Sequence, residues 1–425
     1  MVRLAGSTAI ITIAAIFGLF FPSSLGGTIS LQLSRAAMVL NALILAWLLA
    51  RSGPIDRTQM GLSLGQLLWM SAITLVSSQA DFSAGALFIF IGLAILVAIK
   101  LDRIAAPGPW LLWGINTFVL IVGVGLSLNV PAANEFVKTY YTAFYQDLMV
   151  SMLDWHHKPV LTFATHSTAG FFYYLFFWLN FRTFRTTRSL LSLAWTVVVL
   201  AIGCNVRSTT STVLMAVAAV QLVIDLIKRM PIRVRWPALV LAMPVGAILA
   251  ITIVPPRLAA LVQFVEGNQT TGLRSRYSTT GMLGGNLRYL NESPFSPIGF
   301  TYGPEDLFYG DSGFVLVMVR GSLPLLILVY LAYGRFLYRN LRTRGDAHCL
   351  FLVTCAFEVG YVPLQLFRFT SFLPFMIVYL NNLATADTDG AELDTRRGVM
   401  APASAIDDVG VEPPGEAAAP EGVTR

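Results

Sequence analysis

Long apolar runs separated by short polar or basic breaks set the rhythm of this chain. A bilayer span needs roughly 20 mostly apolar residues, fewer where flanking groups snorkel. Twelve runs qualify: Ala5–Phe21, Ala36–Ala50, Leu64–Ser78, Ala84–Ile99, Trp110–Val130, Thr168–Phe181, Leu190–Asn205, Thr210–Ile227, Trp236–Val254, Ser312–Tyr333, Cys349–Phe367 and Phe369–Ala386. The second, third, fourth and sixth are short. The pattern predicts an all-α, polytopic membrane bundle over residues 1–386. The first run, opening at Arg3, has the outline of a signal peptide, but no Ala-x-Ala site follows it and another apolar run does, so an uncleaved span is expected.

Basic residues between the runs orient the bundle. One set of loops holds 15 Lys and Arg, from Arg51 and Arg57 through Arg335, Arg339, Arg342 and Arg344; the alternate set holds eight. Basic residues stay cytoplasmic, so the first set is expected inside, with both termini. Two long loops then face out, at about 131–167 and 255–311. The first opens with Phe136, Tyr140, Phe144, Leu148 and Met152 four residues apart, the pattern of a helix lying in the membrane interface. The second is too long for an idle connection. Beyond Ala386 the composition turns acidic: residues 387–425 hold nine acidic and three basic side chains and no aromatic. A disordered cytoplasmic tail is expected there, and its Asp387-Thr388-Asp389 reads as solvated charge rather than a metal–nucleotide motif.

Composition agrees with a membrane protein: 56% of the 425 residues are hydrophobic, 12% are charged, and mean hydropathy is +0.68. The basic pI follows from clusters at the ends of spans, which argues against nucleic acid as a partner. Cys204, Cys349 and Cys355 lie in or beside apolar runs without CxxC spacing, as small embedded thiols.

Candidate chemistry concentrates in the second long loop. Arg274, Arg276 and Arg288 sit there among Gly, Ser, Thr and Asn, on the side where the positive-inside bias disfavours arginine. Guanidinium offers planar, permanently charged, bidentate donors that match a pyrophosphate. Arg207, in the turn Asn205–Ser211, either anchors a helix end at headgroup level or joins such a site through its neighbouring hydroxyls. Arg320 and Glu358 lie inside apolar runs, where each alone would cost roughly 2.5–3.5 kcal/mol; an Arg320–Glu358 ion pair is expected, or else Arg320 as the floor of a cavity. His166 and Asp311 stand where a loop enters a span and are the candidate proton acceptors. No cluster has metal-ligand spacing and no nucleotide-binding motif appears, so no metal or cofactor is expected and any sugar donor arrives already activated on a lipid.

The order of these features resembles the O-antigen polymerase and O-antigen ligase superfamily, which includes exopolysaccharide repeat-unit polymerases. The resemblance rests on the Arg207-Ser208-Thr209 turn, on KPVLTFATHS from Lys158 to Ser167, on the late loop with paired arginines ending in Ser296–Phe300, and on Gly310–Phe314 at the next span. It covers about Lys158 to Tyr333. It implies a GT-C-like, metal-independent, inverting glycosyltransferase of the bacterial inner membrane, which takes a glycan from undecaprenyl pyrophosphate at the periplasmic face. Arg207, Arg274 and Arg276 match the family's phosphate-contacting positions, and Asp311 or His166 would orient or deprotonate the acceptor. Arg320-Gly321 departs from the family, which commonly has a glycine within the span after the Asp. Implied partners are the lipid-linked oligosaccharide, membrane lipid, and chain-length and export proteins. His166 in the earlier loop, with no histidine in the late one, favours polymerase over ligase. The rival of another class is a transporter of an anionic solute.

Overall fold

The computed structural model describes residues 2–25, 28–29, 31–77, 81–102, 104–141, 151–163, 165–206, 208–229, 277–278, 280–281, 283–293, 296–304, 307 and 312–399. Helices occupy eleven of the twelve expected positions; the run Trp236–Val254 lies outside the described residues. They are α1 (Val2–Phe20), α2 (Leu31–Arg51), α3 (Arg57–Val76), α4 (Ala84–Ala98), α5 (Pro109–Ser127), α6 (Pro131–Tyr141), α7 (His166–Thr187), α8 (Leu190–Cys204), α9 (Thr209–Arg229), α10 (Gly284–Glu292), α11 (Gly313–Asn340), α12 (Arg344–Glu358) and α13 (Phe367–Val399), of which α6 and α10 lie in the two long loops. A two-residue hairpin, Ser24–Leu25 with Thr28–Ile29, follows α1.

Among the described residues, six helices are long and apolar enough, by length and composition, to cross a membrane: Gln32–Arg51, Arg57–Val76, Pro109–Ser127, Ser211–Arg229, Gly313–Asn340, which is broken at Ser322, and Phe367–Ala386. Gly6–Phe20, Ala84–Ala98 and Leu190–Cys204 are shorter apolar helices. The chain is a multi-pass α-helical membrane protein. It divides after Ala384 into two units, and the second, described as far as Val399, is the end of α13. The helix thus continues past Ala386 into the segment expected to be a disordered tail.

The axis of the bundle is α7, which the sequence marks as one of its shortest runs. From Thr168 to Arg182 every residue is buried. A helix apolar and aromatic on all sides must be surrounded: Phe171 and Phe172 pack on Phe369 and Phe372 of α13 at 4.9 and 5.7 Å between ring centres. Polar residues are tolerated because protein, not lipid, meets them. Asn180 and Asn116 of α5 exchange hydrogen bonds of 2.7 and 2.8 Å, the interhelical pairing that buried amides favour. At one end of α7, Arg182 and the Trp178 indole converge on Asp346 of α12. Near the other end Gly170 lets Ser211 of α9 approach so closely that a Cβ would lie 2.4 Å from its Cβ. With Arg185 pairing Asp225 at 3.2 Å, α7 and α9 run parallel and their N-termini lie together.

The last turn of α1 is closed by side chains. Arg368 donates to the carbonyls of Gly18, Leu19 and Phe21, Thr162 to Leu19, and Tyr141 of α6 to Phe20. The carbonyls orphaned at a helix end thus find partners where water is scarce, and α6 is docked by Val137 and Tyr141 with Phe136 and Tyr140 left outward.

The expected single span Ser312–Tyr333 is not one straight helix. At Ser322 the backbone leaves helical geometry (φ 59°, ψ −167°), two residues before Pro324. The rings of Phe314 and Tyr330 meet at a tilt with centroids 4.9 Å apart, whereas a straight helix would separate these residues by about 24 Å. The chain folds back there, leaving a half-helix, 313–321, packed against the remainder. Pro324 has no N–H for the carbonyl of Arg320; that carbonyl takes the N–H of Gly299 at 2.8 Å, Val319 takes Ile298 at 3.1 Å, and Gly321 takes the Trp69 indole at 2.9 Å. The freed backbone is re-satisfied by the late loop and by α3.

Candidate functional site

The N-terminus of the half-helix is where the separate motifs meet. Ser312 caps it, its hydroxyl accepting from Val315 N. The same hydroxyl donates to the backbone carbonyl of Glu358 at 3.3 Å, and Gly313 N donates to the carbonyl of Tyr361 at 2.9 Å. Tyr277, the last residue of Leu273–Tyr277, donates its hydroxyl to the carbonyl of Val359 and lies 2.9 Å from Ser312 Oγ. On the opposite side Thr168 donates to the Tyr361 hydroxyl at 2.5 Å, and Thr165, the N-cap of α7, bonds Thr168 at 2.8 Å. Four stretches far apart in sequence, Thr165–Thr168, Tyr277, Ser312–Gly313 and Glu358–Tyr361, are joined by side-chain hydrogen bonds.

His166 is the first residue of α7, half-buried, beside that network. Asp311 precedes Ser312, Arg276 precedes Tyr277, and Arg207 lies between buried Val206 and Ser208 at the start of α9. Asp311, Arg207, Arg274 and Arg276 are outside the described residues; in sequence, Asp311, Arg207 and Arg276 each adjoin a described residue. Arg288 is on the exposed face of α10, which packs Leu287 and Leu290 against a small core of Leu283, Ile298, Leu307, Val315 and Val319. The late loop therefore has its own apolar core, built on the half-helix.

The expected Arg320–Glu358 ion pair does not form. The two residues belong to opposite ends of the half-helix: Arg320 sits at the break, donating to the carbonyls of Gly299 at 2.8 Å and Thr301 at 3.4 Å, and Glu358 sits at the N-terminus. Sequence depth had put them level because it assumed a continuous span. Arg320 instead clasps the loop segment with both its backbone and its guanidinium. Gly299, at φ +59°, fits only as glycine, since a Cβ would lie 2.5 Å from Thr74 Oγ1 and 2.8 Å from Thr74 N. Thr74 in turn accepts the N–H of Phe300 at 2.8 Å.

Tyr277 and Tyr361 are the positioning residues that motif reading passed over. Tyr277 carried a signal, an aromatic ending the arginine pair; Tyr361, in Val359–Pro363, carried none. The arrangement can hold an anion: the N-termini of three helices, α7, α9 and the half-helix, belong to segments where arginines or hydroxyls collect, and helix N-termini favour negative groups. No protein-family model matches the chain, and no curated protein sequence matches it.

Proposed function

We propose that this chain is a metal-independent membrane glycosyltransferase that joins oligosaccharide repeats carried on undecaprenyl pyrophosphate, at the periplasmic face of the bacterial inner membrane. The observation that carries the reading is the Tyr277–Ser312–Val359 junction, which tethers the arginine-bearing loop to the N-terminus of a half-helix inside an apolar bundle. On this reading Arg207, Arg274, Arg276 and Arg288 neutralise the pyrophosphate. Pyrophosphate leaves well once its charge is balanced, so the protein supplies position, charge and a proton acceptor. The acceptor hydroxyl attacks the anomeric carbon as the bond to the pyrophosphate oxygen breaks, and the electron pair leaves with the lipid. Asp311 and His166 orient the acceptor. Another acceptor, as in the ligases, would leave the donor side unchanged.

The second reading, a carrier of an anionic solute, draws support from the half-helix itself, since broken helices aim their N-terminal ends at anionic groups in transporters. One assay separates them. Purified protein in liposomes is given a lipid-pyrophosphate oligosaccharide without nucleotide sugar or metal. Growth of the glycan in steps of one repeat supports the polymerase; a single addition to a non-repeat acceptor supports the ligase variant; flux with no new glycosidic bond supports the carrier. Arg207→Ala and Arg276→Ala are expected to abolish product while the protein stays folded, and normal polymer from both would remove the site assignment.

A further inference from the structure

Among the described residues, Glu358 is the one carboxylate buried completely beside the half-helix N-terminus. Its Oε1 accepts the N–H of Leu364 at 2.8 Å. Its Oε2 faces the hydroxyl of Tyr330 on α11, and neither of these two atoms has another hydrogen-bond partner. A fully buried carboxylate whose second oxygen meets a single hydroxyl and no cation is costly and asks for an explanation. The space around Oε2 has also been kept open for it, because a Cβ on Gly313 would overlap that oxygen. Glycine at the first helical position lets the carboxylate reach the end of the half-helix, next to Ser312.

The site is close to the surface of the bundle despite its burial. Val359, the next residue, is 37% exposed, and Tyr277 and Tyr361 are half-buried. Among the described residues, the titratable groups that face Glu358 are Tyr330 and Tyr333 of α11 and Cys355 of its own helix. None of these is basic.

We propose that Glu358 is the proton acceptor of the glycosyl transfer, its Oε2 receiving the acceptor hydroxyl's hydrogen while the Tyr330 hydroxyl completes the cradle. This rests on the function proposed above. As the acceptor oxygen bonds the anomeric carbon and the pyrophosphate departs with its electron pair, the proton passes to Oε2 and afterwards to water. Asp311 and His166 then keep an orienting role.

The experiment compares wild type, Glu358→Gln and Glu358→Ala on the lipid-pyrophosphate oligosaccharide, with donor binding and thermal unfolding measured in parallel. Glutamine keeps the shape and can still accept from Leu364 N–H. Glu358→Gln is expected to bind the donor as wild type does, to lose about 10²-fold or more in rate, and to lose the fall in rate that wild type shows at low pH. In Glu358→Ala, added formate is expected to restore part of the rate, which a purely structural carboxylate would not allow. Wild-type rate and an unchanged pH profile in Glu358→Gln would overturn the assignment while leaving the glycosyltransferase reading in place, as would a folded Glu358→Ala that formate does not rescue. A wild-type protein that forms no glycosidic bond would overturn both.

Discussion

Single residues decide whether the motifs of this chain can act together. Tyr277 is the clearest case, because its hydroxyl ties the arginine-bearing loop to the carbonyl of Val359 and to Ser312. Tyr277→Phe leaves a carbonyl and a hydroxyl without that partner and is expected to cost about 1–2 kcal/mol of stability. Glycan transfer is expected to drop tenfold or more in the same variant. Melting curves and the transfer assay check the two effects separately, and a variant that is less stable yet fully active would make Tyr277 a plain structural brace. The sequence shows the tyrosine and the arginines; it does not show that the hydroxyl lands on a backbone carbonyl 82 residues further on. Glu358 tells the complementary story. Its presence in an apolar run is visible from sequence and marks it as significant, yet its partner is Leu364 N–H rather than Arg320, because pairing depends on where the span breaks.

At the scale of elements, the half-helix and the loop segment Ile298–Thr301 form one unit. The loop donates to carbonyls that the break releases, and the Arg320 side chain returns bonds to the loop. Gly299→Ala places a methyl group against Thr74 at a left-handed position and is expected to destabilise by about 2–4 kcal/mol, from backbone strain and overpacking together. Ser322→Gly acts in the opposite direction. Serine at φ 59°, ψ −167° occupies a region that glycine adopts readily, so relief of strain, offset by glycine's greater freedom when unfolded, is expected to add about 1 kcal/mol. Thermal unfolding of the purified variants measures both signs; stabilisation by Gly299→Ala would mean that the loop does not dock as described. Pro324 was readable as a helix breaker and Gly299 as a member of Ser296–Phe300. The fold-back itself was not, since an apolar run of this length looks like an ordinary span whether or not it is interrupted. Likewise α7 reads as a short run because Tyr, Trp, Asn and Arg lower its hydropathy, and only its neighbours reveal that it never meets lipid.

For the molecule as a whole, the orientation inferred from 15 basic residues on one side and eight on the other can be tested directly. Reporter fusions after Thr280 are expected outside the cytoplasm, and fusions after Arg342 inside. A cytoplasmic reading at Thr280 would separate the arginine-bearing loop from any periplasmic donor and sink the proposed function. The sequence by itself determined that the chain is helical, membrane-embedded and polar mainly in two long loops, because apolar length and the cost of bare backbone in lipid leave a helical bundle as the answer. It also determined which residue types could meet an anion. Only the tertiary structure decided that α7 is the core, that α11 folds back on itself, and that Thr168, Tyr277, Gly313 and Glu358 share one junction. Those outcomes depend on hydrogen bonds between residues far apart in the chain and on the close approach that glycine permits, and neither leaves a periodic trace in a linear pattern.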